Sequence, residues 1–250
     1  MYNEALAALN NGNFGMAYVW FERLAHSGHA KGQNQFALMH DEARGVPENN
    51  IEAVYWYTQS ANQGYAHAQN NLGMMYGGGE GVAQSYTTAF EWYMKAAEQG
   101  LSGAQTNVAY YHEQGRAPNA SMAEAIRWYE LAANQNNSVA MNNLGMIYLK
   151  GNGVDPDPAA ARRLFAKAAL EGNHWSMVNL AYTLFNGLGG EPNRALAYAW
   201  FHWANEQGNP NAPGFIQNEL TQLNSDEVEQ GKTYLGMFRD GVFIAPGAND

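Results

Sequence analysis

The chain has 250 residues, 46% of them hydrophobic and none of them cysteine, so it folds without disulfides or thiolate metal sites. Its formal charge is −10, from 23 acidic against 13 basic side chains. That excess argues against nucleic acid and anionic membrane surfaces, both of which are bound through Lys and Arg.

The first predicted element is a brief helix over Glu4–Leu9. Asn10-Asn11-Gly12-Asn13 turns the chain, and Ala17–Ala25 supplies a second helix. From there the chain repeats itself, and Ala66–Leu101 shows the pattern in full. Leu72, Met75 and Tyr76 fall at helical spacing, a Gly77-Gly78-Gly79-Glu80-Gly81-Val82 loop follows, and Ala89, Trp92, Tyr93 and Ala96 mark a second helix closed by Gly100. Shifted by 36 residues, Ala17, Ala53, Ala89, Ala125, Ala161 and Ala197 form one column. Trp20, Trp56, Trp92, Trp128, Leu164 and Trp200 fill the next, beside Phe21, Tyr57, Tyr93, Tyr129, Phe165 and Phe201. The closing column is Gly28, Gly64, Gly100, Asn136, Gly172 and Gly208, the residues that suit a left-handed cap. A fixed period of this length means a repeat array.

The first helices share an inward column of Phe36, Leu72, Val108, Leu144 and Leu180. Beside it only Ala37, Gly73, Ala109, Gly145 and Ala181 stand, so the second helix is expected to cross there. Second helices open on cap signals: Ser121 with Glu124, Asp157 before Pro158, and Asn193 before Arg194. The short first pair reads as an N-terminal cap. After Gly208 the period stops. Gly214–Leu223 reads as a helix, Asn224 with Glu227 caps another running to about Phe238, and Gly241–Asp250 reads as a loose tail.

Leu72-Gly73-x-x-Tyr76, Gly79-x-Gly81-Val82, Ala89-x-x-Trp92-Tyr93-x-x-Ala96-Ala97 and Gly100 resemble the Sel-1-like repeat family, relatives of tetratricopeptide repeats. The resemblance runs over roughly residues 4–208. It departs locally, with Leu164 for the tryptophan, Ala117 for the loop glycine and Asn205 for the second alanine. It implies an all-α fold, a right-handed α/α superhelical solenoid of about six helix-turn-helix repeats near 1–29, 30–65, 66–101, 102–137, 138–173 and 174–208, with capping helices over 209–250. It implies a bacterial protein-binding scaffold or adaptor. The alternative is an immunity-type inhibitor of a cognate toxin or effector enzyme, its acidic surface matched to a basic cleft.

A search for chemistry returns nothing catalytic and no cofactor. His40 and His112 take the column of Tyr76 and Tyr148, so they read as tyrosine substitutes with a hydrogen bond, and the other histidines are scattered. His112-Glu113 lacks the second histidine of a zinc helix, because Arg116 stands there. The glycine loop follows a helix and has no Lys-Ser/Thr behind it, so it is no phosphate loop. No segment approaches the roughly 18 apolar residues of a membrane span. Met1-Tyr2-Asn3-Glu4 has neither a basic n-region nor a long apolar run, so the chain as given is expected in the cytoplasm, or in the periplasm or outside if a signal was trimmed.

The positions left free by the repeat carry the binding expectation. Asn71, Asn107, Asn143 and Asn179 form a column, and Met74, Tyr110, Met146 and Tyr182 lie three residues on, on the same helical face. In tetratricopeptide-like arrays these positions look into the concave groove, where amides would hold an extended protein or peptide partner and methionine and tyrosine would adapt to its side chains. The same amides are alternatively placed to bond a neighbouring repeat. Trp175 shares a column with Lys31, His67, Gly103 and Val139, so packing does not demand an aromatic there and it reads as a hot spot. Trp203 breaks a mostly polar column and is expected under the C-terminal helices.

Overall fold

The computed structural model describes residues 1–244. Among these the chain is all-α, with fourteen α-helices and one 3₁₀ turn, and the helices follow one another as sequential pairs. It divides into two compact halves, Met1–Ala125 and Ile126–Asp250.

The N-terminal half holds α1 (Tyr2–Asn10) with α2 (Phe14–His26), α3 (Ala30–Asp41) with α4 (Asn50–Asn62), α5 (Ala66–Gly78) with α6 (Tyr86–Glu98), and α7 (Ser102–Glu113) leading into α8 (Met122–Ala133). From α1 to α7 each helix packs on the one before it. Second helices start where a short polar side chain satisfies a free backbone donor. Asn13, Asn49 and Ser85 accept from the amides of Met16, Glu52 and Thr88, and losing such a cap costs about 1 kcal/mol. They stop where the chain turns left-handed: Gly28, Gly64 and Gly100 all have positive φ, and Asn136 takes the same conformation in the other half.

The column of alanines and its aromatic neighbour make the core of this half. Ala17, Ala53 and Ala89 are fully buried, and so are Phe21 and Tyr57, with Tyr93 nearly so. The tryptophans one residue earlier are less uniform than their spacing predicts. Trp56 is buried, whereas Trp20 and Trp92 are half-buried, each with a cation against its ring: Arg23 at 5.7 Å and Lys95 at 3.8 Å. The helix crossing expected at the small column is present. A Cβ on Gly73 would come within 2.7 Å of the Tyr93 ring. The loop glycine has a second task. Gly81 has φ of 67°, and a Cβ there would lie 2.3 Å from the Asn50 carbonyl oxygen, so the loop of one repeat rests on the opening residue of the preceding repeat's second helix.

The C-terminal half repeats the scheme with α9 (Ser138–Lys150) and α10 (Pro158–Leu170), then α11 (His174–Asn186) and α12 (Arg194–Glu206). Asp157 and Asn193 cap the second helices as their spacing predicts. Gly145 admits the Phe165 ring as Gly73 admits Tyr93, and Gly189 lies on the Pro158 carbonyl as Gly81 lies on Asn50. Phe165, Phe201 and Trp200 are buried to within 1%.

Beyond α12 the structure departs from the reading of Gly214–Leu223 as one helix. α13 covers Ala212–Asn218 and is followed by a 3₁₀ turn at Leu220–Gln222. The start is moved back by Asn209, a buried residue whose Oδ1 accepts from the amides of Asn211 and Ala212 while its Nδ2 donates to the His174 carbonyl. α14 (Ser225–Arg239) opens on the expected reciprocal cap between Asn224 and Glu227. It packs on α12, with Phe238 4.6 Å from the Trp200 ring. Trp203 is partly buried in the same cluster. Of the expected loose tail, residues 245–250 lie outside the described residues. Just after α14, the exposed Phe243 stacks on Trp200 at 5.9 Å and meets Trp203 edge-on. Among the described residues no helix is long and apolar enough to cross a membrane.

Candidate functional site

In the C-terminal half, α9 and α11 are consecutive first helices, and two hydrogen bonds join them. Ser176 Oγ and Asn179 Nδ2 both donate to Asn142 Oδ1 at 2.9 Å. Residues at i, i+4 and i+7 share a helical face, so Val139, Asn143 and Met146 line one stripe and Trp175, Asn179 and Tyr182 the adjoining one. The rings face water. Trp175 is 44% exposed and Tyr182 38%, with Val139 exposed beside them and Met146 half-buried. Trp175 leans on His174 with ring centres 5.2 Å apart, and Tyr182 meets Phe215 of α13 edge-on at 6.2 Å. Both indole and phenol are therefore supported from one side and open on the other.

The expected asparagine column is engaged within the fold. Asn179 donates to Asn142, and Asn143 donates to the Tyr129 hydroxyl at 3.2 Å. In the N-terminal half Asn71 donates to Asn34 Oδ1 at 3.2 Å, and Asn107 to Asn70 Oδ1 at 2.9 Å. The three asparagine–asparagine ties each reach 37 residues back, to the preceding first helix. The amide donors thus hold repeats in register. The Asn179 side-chain carbonyl has no donor among the described residues and remains an acceptor. Met74 and Tyr110 are exposed on α5 and α7 in that half, and the Arg116 guanidinium lies 5.9 Å from the Tyr110 ring.

A second set of amides, absent from the sequence reading, is buried at the same period. Gln33, Gln69 and Gln105 donate to the carbonyls of Ala25, Ala61 and Ala97. Gln63 and Gln99 then donate to Gln33 and Gln69 at 2.7 Å. The signal was there, since glutamine recurs every 36 residues at these positions. A polar column looks like surface unless each member is known to find a carbonyl partner, which is what makes its burial affordable in energy.

The histidine and tyrosine positions serve packing. His40 is buried and neither ring nitrogen has a partner, which corrects the expected hydrogen bond. The rings of Phe36 and Tyr18 enclose it at 4.9 and 5.9 Å. That loss of solvation holds its pKa below the ordinary histidine value, against the weaker opposing pull of Glu52 and Glu22. The Tyr57 hydroxyl donates to Asp41, and burial first, then that carboxylate, pushes its pKa far above 10. Among the described residues no group of three His, Asp or Glu side chains is placed to hold a metal ion.

Comparison with known proteins fits this geometry. The family description "Sel1 repeat" matches residues 11–29, 30–65, 66–101, 102–137, 138–173 and 176–209. Among solved structures, a Sel1 repeat protein from Oxalobacter formigenes is similar at 28% identity and a TM-score of 0.81, over 96% of this chain and all of that one. The protective antigen c5321 of uropathogenic Escherichia coli is similar at 27% identity and a TM-score of 0.75, over 96% of this chain and 58% of that one. A Sel1 repeat protein from Klebsiella pneumoniae shares the fold at 20% identity and a TM-score of 0.55, over 80% of this chain and 98% of that one. No curated protein matches significantly.

Proposed function

The chain belongs to the Sel1 repeat family, and from that membership we propose that it is a non-catalytic scaffold that holds a protein partner, gripping an extended segment on the first-helix face of its C-terminal half. One observation carries this reading: Trp175 and Tyr182 stand two helical turns apart, exposed, on a face where the repeat requires no aromatic. Rigid amphipathic rings in such a position are the usual source of binding energy at protein interfaces. Because the asparagine donors are committed to neighbouring repeats, Asn179 offers its carbonyl to a backbone N–H of the bound segment. In the N-terminal half, Asn71 and Met74 on α5 and Asn107 and Tyr110 on α7 take the corresponding positions.

Residues 209–250 act in this reading as the cap of the array. They lay Phe238 and Phe243 over Trp200, which an open end would leave exposed. A narrower reading makes the protein an inhibitor that plugs a basic catalytic cleft, and its support is the net charge of −10.

The test is capture of the partner on the wild-type protein, followed by calorimetry with the purified partner. Trp175→Ala should weaken binding more than tenfold, the effect of truncating a hot spot worth at least about 2 kcal/mol. Ile51→Ala, an equally apolar and 74% exposed site on a second helix, should leave affinity unchanged. Equal affinities for the two variants would move recognition off this face. An enzyme activity of the captured partner that disappears on binding would select the inhibitor reading.

A further inference from the structure

The tryptophan column is broken once, at Leu164, and the structure has an open cleft of about 250 Å³ at that point. Its walls are Leu144, Tyr148, Ala160, Arg163, Leu164 and Lys167, between α9 and α10. Counting back three repeats, these positions are Phe36, His40, Glu52, Tyr55, Trp56 and Gln59. In that earlier repeat the same space is filled by rings. Trp56 lies 5.6 Å from Phe36 and 5.0 Å from Tyr55, Phe36 lies 4.9 Å from His40, and the indole N–H donates to Glu52 at 2.7 Å. The later repeat keeps the frame and removes the filling: leucine for tryptophan, leucine for phenylalanine, alanine for glutamate.

Charge has changed along with volume. Elsewhere in the array Lys95, three residues after Trp92, sits 3.8 Å over its ring, and Arg127, one residue before Trp128, sits at 4.4 Å. Lys167 and Arg163 hold those two offsets around Leu164, so both cations are in place with no indole between them. Neither makes an ion pair or hydrogen bond among the described residues. At the wall of the cleft the Tyr148 hydroxyl donates to Glu130 at 3.0 Å. In a chain with ten excess negative charges, two unpaired cations beside an apolar slot are a local inversion of sign.

We propose that this cleft is a docking site for an aromatic side chain of a protein partner, a tryptophan flanked by acidic residues, whose ring takes the place of the missing column tryptophan and whose carboxylates meet Arg163 and Lys167. The ring would gain apolar burial against Leu144 and Leu164 and cation–π contact on its faces. The flanking carboxylates would meet two cations in a chain whose net charge is −10. This site lies apart from Trp175 and Tyr182 and stands independently of the role given to them.

The experiment uses the full chain and three acetylated, amidated tripeptides, Asp-Trp-Asp, Asn-Trp-Asn and Asp-Ala-Asp, titrated by NMR. The expected result is saturable binding of Asp-Trp-Asp, with shifts confined to α9 and α10. Asn-Trp-Asn should bind roughly fivefold or more weakly, the loss of about 1 kcal/mol of charge contact, and Asp-Ala-Asp should not bind. Leu164→Trp fills the cleft from within, so it should raise the melting temperature and abolish binding. Arg163→Ser with Lys167→Ser, both on exposed positions, should weaken binding by at least about fivefold with the fold intact, and Trp175→Ala should leave it unchanged. Equal binding of the alanine peptide, undiminished binding by the double serine variant, or shifts lying elsewhere would each overturn the proposal.

Discussion

The Tyr57 hydroxyl donates to Asp41 Oδ2 at 2.9 Å and so ties the second helix of one pair to the last residue of its first helix, across a separation of 16 residues. The ring is fully buried, so the bond forms where water competes little. Tyr57→Phe should cost about 1.5–3 kcal/mol in urea unfolding, the range for a hydrogen bond to a charged group. Because the folded-state pKa is raised, the neutral hydroxyl stabilises the fold fully below the ordinary tyrosine value of about 10, and this contribution is lost as the pH climbs above it. The alkaline fall in melting temperature should therefore be shallower in the phenylalanine variant. Tyrosinate absorbance should lag in the wild type until it unfolds.

His40 gives the opposite limb. Its pKa is lowered, so the neutral ring stabilises the fold fully above about 6.5, and that contribution is lost as the pH falls through the lower folded-state value. His40→Tyr places there the residue that occupies the same column at Tyr76 and Tyr148. The acid limb of the melting curve should flatten, while the melting temperature above neutral pH changes little. An unchanged acid limb would assign that loss to other groups.

Two aromatic truncations should differ in size. Phe165 is fully buried on α10 against Gly145 of α9, so Phe165→Ala should cost about 3–5 kcal/mol. Trp92 is half-buried with Lys95 on its ring, and Trp92→Ala should cost clearly less. Paired chemical denaturation of the two variants checks the order, and a reversed order would mean that the tryptophans carry the core.

Removal of the residues after Gly208 strips Leu235, Phe238 and Phe243 from the end of the array. The exposed Trp200 and Trp203 then form an apolar end face, and such faces associate. Size-exclusion chromatography of the shortened chain should show oligomers, and its melting temperature should drop. A stable monomer would remove the capping role.

How much of this was legible depended on what each column required. The alanine and ring columns were readable because a 3.6-residue helix gives their spacing one meaning. Trp92 and Tyr93 were harder to separate. They are adjacent, equally aromatic and equally periodic, and which one goes inside is set by the crossing at Gly73, a three-dimensional fact. The asparagine column was found, but its hydrogen-bond partners were not, because Asn34, Asn70 and Asn142 lie a full repeat plus one residue away. Trp175 was visible as a misfit to its column, whereas the Leu164 cleft required knowing that Phe36, Trp56 and Glu52 pack as one cluster. The early start of α13 was set by Asn209, a single buried amide whose partner His174 stands 35 residues before it.

Gly81 resting on Asn50, and Gly189 on Pro158, have a consequence for how such a chain grows. At Gly45, Gly81 and Gly189 the loop is fitted to the helix start of the repeat before it, so in these repeats the building block runs across the boundary between neighbours. Gene duplication that copies a whole period reproduces both sides of this contact wherever the copy begins. A copy one residue too long or too short sets a side chain against a carbonyl at a distance no Cβ tolerates. A change in the length of the array is therefore expected to be tolerated in whole periods, with slippage in register blocked at these glycines before it reaches the core.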